Sequence, residues 1–177
     1  MKLKLKDLGK IVTGFTPKKK EKDAWGEDIP FLTPSDYGLD RFAKTSRFLS
    51  DEWVSQRKSK IVSCPSISVT CIGSDMGKTV FNDVNIITNQ QINSIYNIKT
   101  DLVSPLYLYY LLKSKREYLH FLGSGNGSTM PILNKRDFSN IEVELPSLKQ
   151  QTQISNMLDV LDKKIELNNS INANLVA

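Results

Sequence analysis

The sequence predicts an α+β fold in which strands predominate, a helix is inserted late, and a long coiled-coil-type helix follows at the C-terminus. Three observations support this prediction: short apolar stretches separated by turn residues up to residue 98, one helical pattern that starts at Ser104, and a heptad pattern over residues 148–177. We therefore expect a domain at residues 1–147 and a separate helix at residues 148–177.

The first part of the chain contains extended segments and loops. Residues 3–8 begin as an alternation of leucine and lysine, which predicts a half-buried strand or an initial turn. Gly14 and Pro17 break this pattern, so Lys18–Lys20 is expected on a loop. Prolines bracket residues 29–36 and favour an extended segment that ends in a turn.

The middle of the chain combines strands with one helix. Four strands are expected at Ser68–Ile72, Lys78–Phe81, Val84–Ile87 and Gln91–Ile98. Ser104 and Pro105 are typical of a helix start, regularly spaced leucines continue the helix, and Gly123 ends it. A last strand is expected at Ile141–Leu145.

The C-terminal segment has the pattern of a helix that pairs with another helix. Ser147 and Gln150 match a capping box at its start. A seam then recurs at alternating steps of four and three residues, at Ile154, Leu158, Leu161, Ile165, Asn168, Asn172 and Leu175. Asparagines in a seam weaken packing but can fix register and partner number. The alternative is an amphipathic helix that packs only on its own domain.

The net charge of +5 is concentrated at the N-terminus. Residues 1–22 hold eight lysines against Asp7 and Glu21, a balance of +6, and the rest of the chain has a balance of −1. A local basic patch attracts polyanions, although a solvated lysine-rich end remains the alternative. No run of 18 apolar residues and no leader pattern occur, so we expect neither a membrane span nor a signal peptide. Cys64 and Cys71 lack metal-ligand spacing and fit a cytoplasmic protein.

None of the catalytic motifs that we considered is complete. Residues 73–79 resemble a phosphate loop, but only three residues separate the glycines and no helix pattern follows. There is no Pro-Pro pair for an adenine methyltransferase motif, and Asp162-Lys163-Lys164 lies in the heptad helix. His120, the single histidine, lies within a helix pattern. We therefore expect a protein without catalytic residues, bound metal or a cofactor of its own.

The sequence favours nucleic-acid binding more strongly than it favours catalysis. Asn89, Gln90 and Gln91 carry amides, which can pair with adenine in the major groove, although a polar turn is equally compatible. Hydroxyl and amide side chains on a glycine-rich loop are expected to bind phosphates: Ser124, Asn126, Ser128 and Thr129. Lys18, Lys19 and Lys20 would neutralise further phosphates.

Several segments, in order, resemble the target recognition domain of the DNA specificity subunits of type I restriction-modification systems. They are Gly14–Pro17, Trp25, Ile29–Asp36, Asn89–Ile92, the helix from Ser104, Ser128-Thr129, and Leu145–Leu148 with Gln151, Ile154, Leu158, Asp162 and Ile165. The last segment is similar to the family's Pro-Pro-Leu-x-Glu-Gln-x-x-Ile pattern. Ser147 replaces the second proline and Gln150 the glutamate, and both changes keep the helix start.

The resemblance implies a specificity subunit that is not an enzyme. A complete subunit has two recognition domains, each reading half of a split double-stranded DNA target, with two antiparallel helices between them. Methyltransferase subunits and ATP-dependent restriction subunits are its partners, and S-adenosylmethionine, ATP and magnesium belong to those partners. This chain resembles half a subunit, so a homodimer through residues 148–177 would restore the two-domain arrangement.

Within this reading, base contacts are expected from three loops: Thr33, Ser35, Asp36 and Tyr37; Ser74 and Lys78; and Asn89, Gln90 and Gln91. The alternative function is an adaptor without DNA contact, assembled through its C-terminal helix.

Overall fold

The computed structural model describes residues 1–38, 40–125 and 131–176; for residues 173, 175 and 176 only the backbone is described. The predicted mixture of strands and helices with a long C-terminal helix is confirmed. The strands are β1 Lys2–Lys4, β2 Lys10–Thr13, β3 Trp25–Gly26, β4 Ile29–Leu32, β5 Phe48–Leu49, β6 Ser66–Thr70, β7 Thr79–Asn82, β8 Ile87–Thr88, β9 Ile92–Tyr96 and β10 Glu142–Glu144. The helices are α1 Leu5–Leu8, α2 Asp51–Ser55, α3 Pro105–Ser114, α4 Arg116–Ser124, α5 Lys135–Ser139 and α6 Leu148–Val176.

The strands form two four-stranded sheets and one two-stranded sheet. The first has the order β2-β9-β6-β7 and is antiparallel throughout. The second has the order β3-β5-β4-β8, in which β4 and β8 run parallel. Strand β1 pairs with β10, so the N-terminus lies beside the strand that precedes α6. This topology carries the start of the chain back to the point at which the long helix leaves the domain.

The largest apolar core lies between the first sheet and α3. Tyr109 and Leu108 of α3 are fully buried against Ile67 and Ile95 of the sheet. The amphipathic pattern of α3 therefore has the partner that it requires.

Most predicted elements are present, with shifted ends. Residues 3–8 divide between β1 and α1, so both interpretations of that segment hold in part. The helix predicted from Ser104 to Gly123 is broken at Lys115 and continues as α4. Of the predicted strand Val84–Ile87, only Ile87 lies in a strand, while Ile86 forms an isolated bridge with Val62. The short elements β2, α2 and α5 were not predicted, because each is too short to show a period.

Helix α6, here called the arm, begins at the predicted capping box. The Ser147 N–H donates to Gln150 Oε1 (3.1 Å), and the Gln150 N–H donates to Ser147 Oγ (3.4 Å). Gln151, which is buried, accepts from the Ser104 N–H (2.9 Å) and donates to the carbonyls of Leu102 (3.1 Å) and Pro146 (3.0 Å). The first turns of the arm are therefore tied to the domain.

Candidate functional site

A polar rim follows the carboxyl ends of the parallel strands β4 and β8. Leu32 is in register with Thr88, and the Asn89 N–H donates to the Leu32 carbonyl at 2.9 Å. The two segments that continue from these strands, Thr33–Asp36 and Asn89–Gln91, are therefore neighbours. We use the term polar rim for these two segments together with Thr16 and Arg47, which bind to them.

The three amides of the rim differ in exposure. Asn89 is 7% exposed; its Nδ2 donates to Gln91 Oε1 (2.9 Å) and its Oδ1 accepts from the Gln91 N–H (3.1 Å). Gln90 is exposed and accepts from the Thr16 hydroxyl at 2.6 Å. Gln90 is therefore the amide of this loop that a ligand reaches most directly, whereas Asn89 shapes the loop.

The Thr33–Asp36 segment forms a tight turn that holds its own side chains. Asp36 Oδ2 accepts from the Thr33 N–H (2.7 Å) and from the Thr33 hydroxyl (3.0 Å). Arg47 Nη2 donates to the same Asp36 oxygen at 2.6 Å and to Thr33 Oγ1 at 2.5 Å. Arg47 was not among the predicted site residues, because only the pairing of β4 with β5 brings it to this turn.

Tyr37, predicted as a base-contacting residue, is placed elsewhere by the structure. It is 3% exposed and packs in the core with Leu32, Val62 and Val80. Burial raises the pKa of its phenol above the usual range. A side chain enclosed in this way has no open path to a base edge, so the prediction that Tyr37 contacts a base is wrong.

A basic surface adjoins the rim. Lys18, Lys19 and Lys20 are exposed, on the loop that the sequence predicted. Their neighbour Glu21 binds Arg57 at 2.8 Å, and the Lys60 ammonium lies 5.6 Å from the centre of the Phe15 ring. The basic surface therefore consists of Lys18–Lys20, Arg57, Lys58 and Lys60.

Glu21 fixes the geometry of this surface. Its carboxylate accepts from the Lys18 N–H at 2.8 Å, and this bond, together with the Arg57 charge, holds the pKa of Glu21 below its usual range. The sequence assigned the positive charge to residues 1–22 alone. The contribution of Arg57, Lys58 and Lys60 was missed because it depends on contacts between segments that are distant in sequence.

The segment that resembles a phosphate loop is the hairpin between β6 and β7. Gly73 and Gly77 have φ values of +92° and +85°, which favour glycine, and no helix follows because Thr79 begins β7. Ser74 is exposed, and Lys78 is half-buried in an ion pair with Asp75 at 3.0 Å. The Cys71 N–H donates to the Gln91 carbonyl at 2.7 Å, which joins the base of the hairpin to the rim.

Of the predicted glycine-loop residues, only Ser124 lies within the described chain. It is exposed at the end of α4, where its hydroxyl donates to the His120 carbonyl at 2.9 Å. Asn126, Ser128 and Thr129 lie outside the described residues. The segment that follows them returns to the hairpin, because the Gly73 N–H donates to the Pro131 carbonyl at 3.1 Å.

The arm exposes most of the predicted seam. Ile154, Leu161 and Ile165 are 43–55% exposed, and Asn168 and Asn172 are also exposed. Leu158 instead packs against the main core of its own domain, and the side chain of Leu175 lies outside the description. Further apolar side chains are exposed on the arm: Met157, Val160, Leu167 and Ile171. One stripe of the arm therefore packs on its own domain, as the alternative interpretation expects, and the adjacent stripe has no partner among the described residues. Pairing with another helix stays a prediction.

No helix in residues 1–38, 40–125 and 131–176 is long and apolar enough to cross a membrane. Over the same ranges, no three His, Cys, Asp or Glu side chains are grouped as a metal site would require.

The structure thus combines a small domain of strands and helices, a polar rim beside a basic surface, and a long helix with exposed apolar side chains. A family model described as the type I restriction modification DNA specificity domain matches residues 1–177, and the chain belongs to this family.

Named relatives agree with this membership. The chain is 31% identical over 166 residues to the type I restriction enzyme MjaIX specificity subunit of Methanocaldococcus jannaschii, covering 92% of this chain and 38% of the relative. It is 38% identical over 146 residues to the HindI specificity subunit of Haemophilus influenzae, covering 81% of this chain and 31% of the relative. The crystal structure of the HsdS subunit from Thermoanaerobacter tengcongensis has the same fold, with a TM-score of 0.70 at 15% identity over 97% of this chain and 39% of that one.

The chain therefore spans less than half the length of the proteins that it matches. Its relatives are named as specificity subunits of restriction enzymes, which is the non-catalytic class that the sequence predicted.

Proposed function

We propose that the chain recognises a specific double-stranded DNA sequence through the polar rim and the adjoining loops. The main support is that hydrogen bonds bring four loops together on one side of the domain. They are the lysine loop, the Thr33–Asp36 turn, the amide loop of residues 89–91 and the β6–β7 hairpin. Base-reading loops beside a phosphate-binding surface are what sequence-specific binding requires. The family description, a DNA specificity domain, supports the same function.

The residues divide into two roles. Lys18, Lys19 and Lys20, with Lys58 and Lys60, bind backbone phosphates and orient the duplex. Base contacts come from exposed or half-buried side chains on the rim and the hairpin: exposed Ser35, Ser74 and Gln90, and half-buried Thr33, Lys78 and Gln91. Ser124 and the neighbouring Asn126, Ser128 and Thr129 add phosphate contacts. Asn89 and Asp36 contribute by shaping their loops.

The salt dependence of binding tests the phosphate contacts. In the full chain, the triple variant K18A/K19A/K20A should lower the magnitude of the log–log salt slope on a random-sequence duplex by about 2.7, because each phosphate contact contributes about 0.9. The matched control K6A/K99A/K149A removes the same charge from exposed lysines outside the rim and the basic surface. An equal slope for both variants and the parent chain would exclude Lys18–Lys20 from the interface.

The second part of the proposal concerns assembly. Residues 1–147 form the recognition domain and residues 148–177 the arm, whose exposed stripe pairs antiparallel with a second copy of this chain or with the other half of a longer subunit. Two domains arranged in this way read the two halves of a split target. Support comes from the exposed seam side chains and from the greater length of the relatives.

The third part concerns partners. The assembled reader directs adenine methylation by methyltransferase subunits and cleavage by ATP-dependent restriction subunits, as the resemblance implies. S-adenosylmethionine, ATP and magnesium act in those subunits, and this chain contributes only recognition, in the cytoplasm.

An adaptor without DNA contact is the second candidate function. The exposed apolar side chains of the arm favour it, because they provide a docking surface whether or not the rim binds DNA. Binding of the full chain to a methyltransferase subunit, combined with no binding to duplex DNA at low salt, would support the adaptor and contradict the recognition function.

A further inference from the structure

Arg47 is held in one orientation on the polar rim. Its Nη2 binds Asp36 Oδ2 at 2.6 Å and Thr33 Oγ1 at 2.5 Å, and Ser35 Oγ lies at 3.5 Å. Its guanidinium carbon lies 5.8 Å from the centre of the buried Phe31 ring. A side chain with four rotatable bonds is thereby prepared for contact before any ligand arrives, which reduces the entropy cost of binding.

The remaining donors of Arg47 are unused. Within the described part of the chain, Nε and Nη1 have no hydrogen-bond partner, and the side chain is 39% exposed. An ion pair of this exposure adds little to the stability of the fold. The contact between Arg47 and Asp36 therefore matters little for stability. We expect its main effect to be that it presents the free N–H groups of Arg47 to a ligand.

Arg47 binds a turn that leaves the sheet at the same edge as the amide loop. Its partner Asp36 follows β4, Asn89 follows β8, and the two parallel strands end at the same edge. In the major groove, guanine presents two acceptors, O6 and N7, whereas adenine presents one acceptor and one donor. A fixed group that only donates is complementary to guanine and mismatched to adenine.

We infer that Arg47 reads a guanine of the DNA target and that Asp36 is a positioning residue that acts through Arg47. This inference rests on the proposed function and adds a specificity-determining residue to it. It also changes the role of Asp36, which the sequence predicted as a direct base contact.

Selection from a random-sequence duplex library by the full chain tests the inference. The wild type should enrich a motif that contains a guanine, and R47M and R47K should enrich the same motif with that one position degenerate. D36N should show a weaker preference at the same position, since it keeps the shape of the turn but lowers the charge that holds Arg47. The control R136M removes an exposed arginine outside the rim and should leave every position unchanged. Unchanged thermal unfolding of R47K would show that the fold is retained.

An atom-level test uses the selected duplex. Replacing the identified guanine with 7-deazaguanine removes the N7 acceptor and should weaken wild-type binding by about 5- to 150-fold. The same replacement should leave R47M binding unchanged, because that acceptor has already lost its donor.

Three results would overturn the inference. If the motif enriched by R47M kept every guanine of the wild-type motif, Arg47 would not read a base. If R47M lost affinity equally for all sequences and R47K restored that affinity, Arg47 would be assigned to a phosphate contact. Failure of the wild type to enrich any motif would overturn the proposed function itself, and with it this inference.

Discussion

The Arg41 guanidinium donates to Asp159 Oδ1 at 2.5 Å, which joins the loop before β5 to the fourth turn of the arm. The two side chains are 8% and 16% exposed, and Lys163 binds the other Asp159 oxygen at 2.8 Å. One turn further, Asp162 accepts from the Tyr110 hydroxyl at 3.0 Å. Together with the hydrogen bonds of Gln151, these contacts hold the arm at a defined angle to the strands and helices that precede it.

Loss of Arg41 should destabilise the protein strongly. R41M leaves Asp159 shielded from water and short of one partner, so we expect the free energy of unfolding to fall by about 3 kcal/mol, the lower end of the range for a broken buried pair. Lys163 keeps the loss at this lower end because it remains bound to Asp159. Urea denaturation monitored by circular dichroism measures the change.

Two further variants separate the ion pair from general loss of charge. K44M removes a cation from the same loop, but its pair with Asp40 is 83% exposed on the lysine side, so the cost should stay below about 1 kcal/mol. R41M/D159L should recover part of the loss, because it removes the unpaired carboxylate. Equal stability of R41M and K44M would contradict the account of this contact.

Acid should weaken the same contact. The hydrogen bond from Lys163 and then that from Arg41 lower the pKa of Asp159 below its usual value. A depressed folded pKa adds stability above the unfolded value of about 3.9 and loses it as pH falls through the folded value.

The stability advantage of the wild type over D159N should therefore be constant near neutral pH and shrink below about pH 4. Parallel urea titrations between pH 7 and pH 2.5 provide the comparison. A difference that does not change with pH would mean that Asp159 is not charged in the folded protein.

The exposed stripe of the arm should mediate self-association. I165E places a charge on the seam and should convert a dimer to a monomer in sedimentation velocity at micromolar concentration, because each copy would bury an unpaired charge in an apolar interface. T152E adds the same charge to an exposed position two residues before Ile154, on the opposite side of the helix and away from Val160 and Leu167, and should remain dimeric. A wild type that stays monomeric under these conditions would contradict the homodimer.

The two cysteines should differ in reactivity. Cys64 is exposed, whereas Cys71 is 2% exposed and its burial raises the pKa of the thiol to about 12. Because the thiolate is the nucleophile, a maleimide should modify the native protein once, and C64S should remain unmodified until it unfolds. Mass spectrometry of the labelled chains would report the result, and rapid native labelling of C64S would show that the core opens at Cys71.

Sequence patterns predicted the features that depend on neighbouring residues. The capping box of Ser147 and Gln150, the loop that carries Lys18–Lys20 and the extended segment before Thr33 were all found in this way. Arg47 and Lys60 were missed, because each reaches the site through pairing between distant segments. Leu158 shows a different limit, since an apolar residue at heptad spacing has the same pattern whether it faces a partner helix or its own domain.

The most direct test of the central claim is the sequence enriched from a random duplex library by the full chain, alone and together with methyltransferase subunits. The account predicts a split motif with two-fold symmetry, whose half-site loses sequence information in rim variants such as Q90A, while K18A/K19A/K20A binds all sequences more weakly. Recovery of no motif from a chain that is folded and bound to its partners would contradict DNA recognition by this protein.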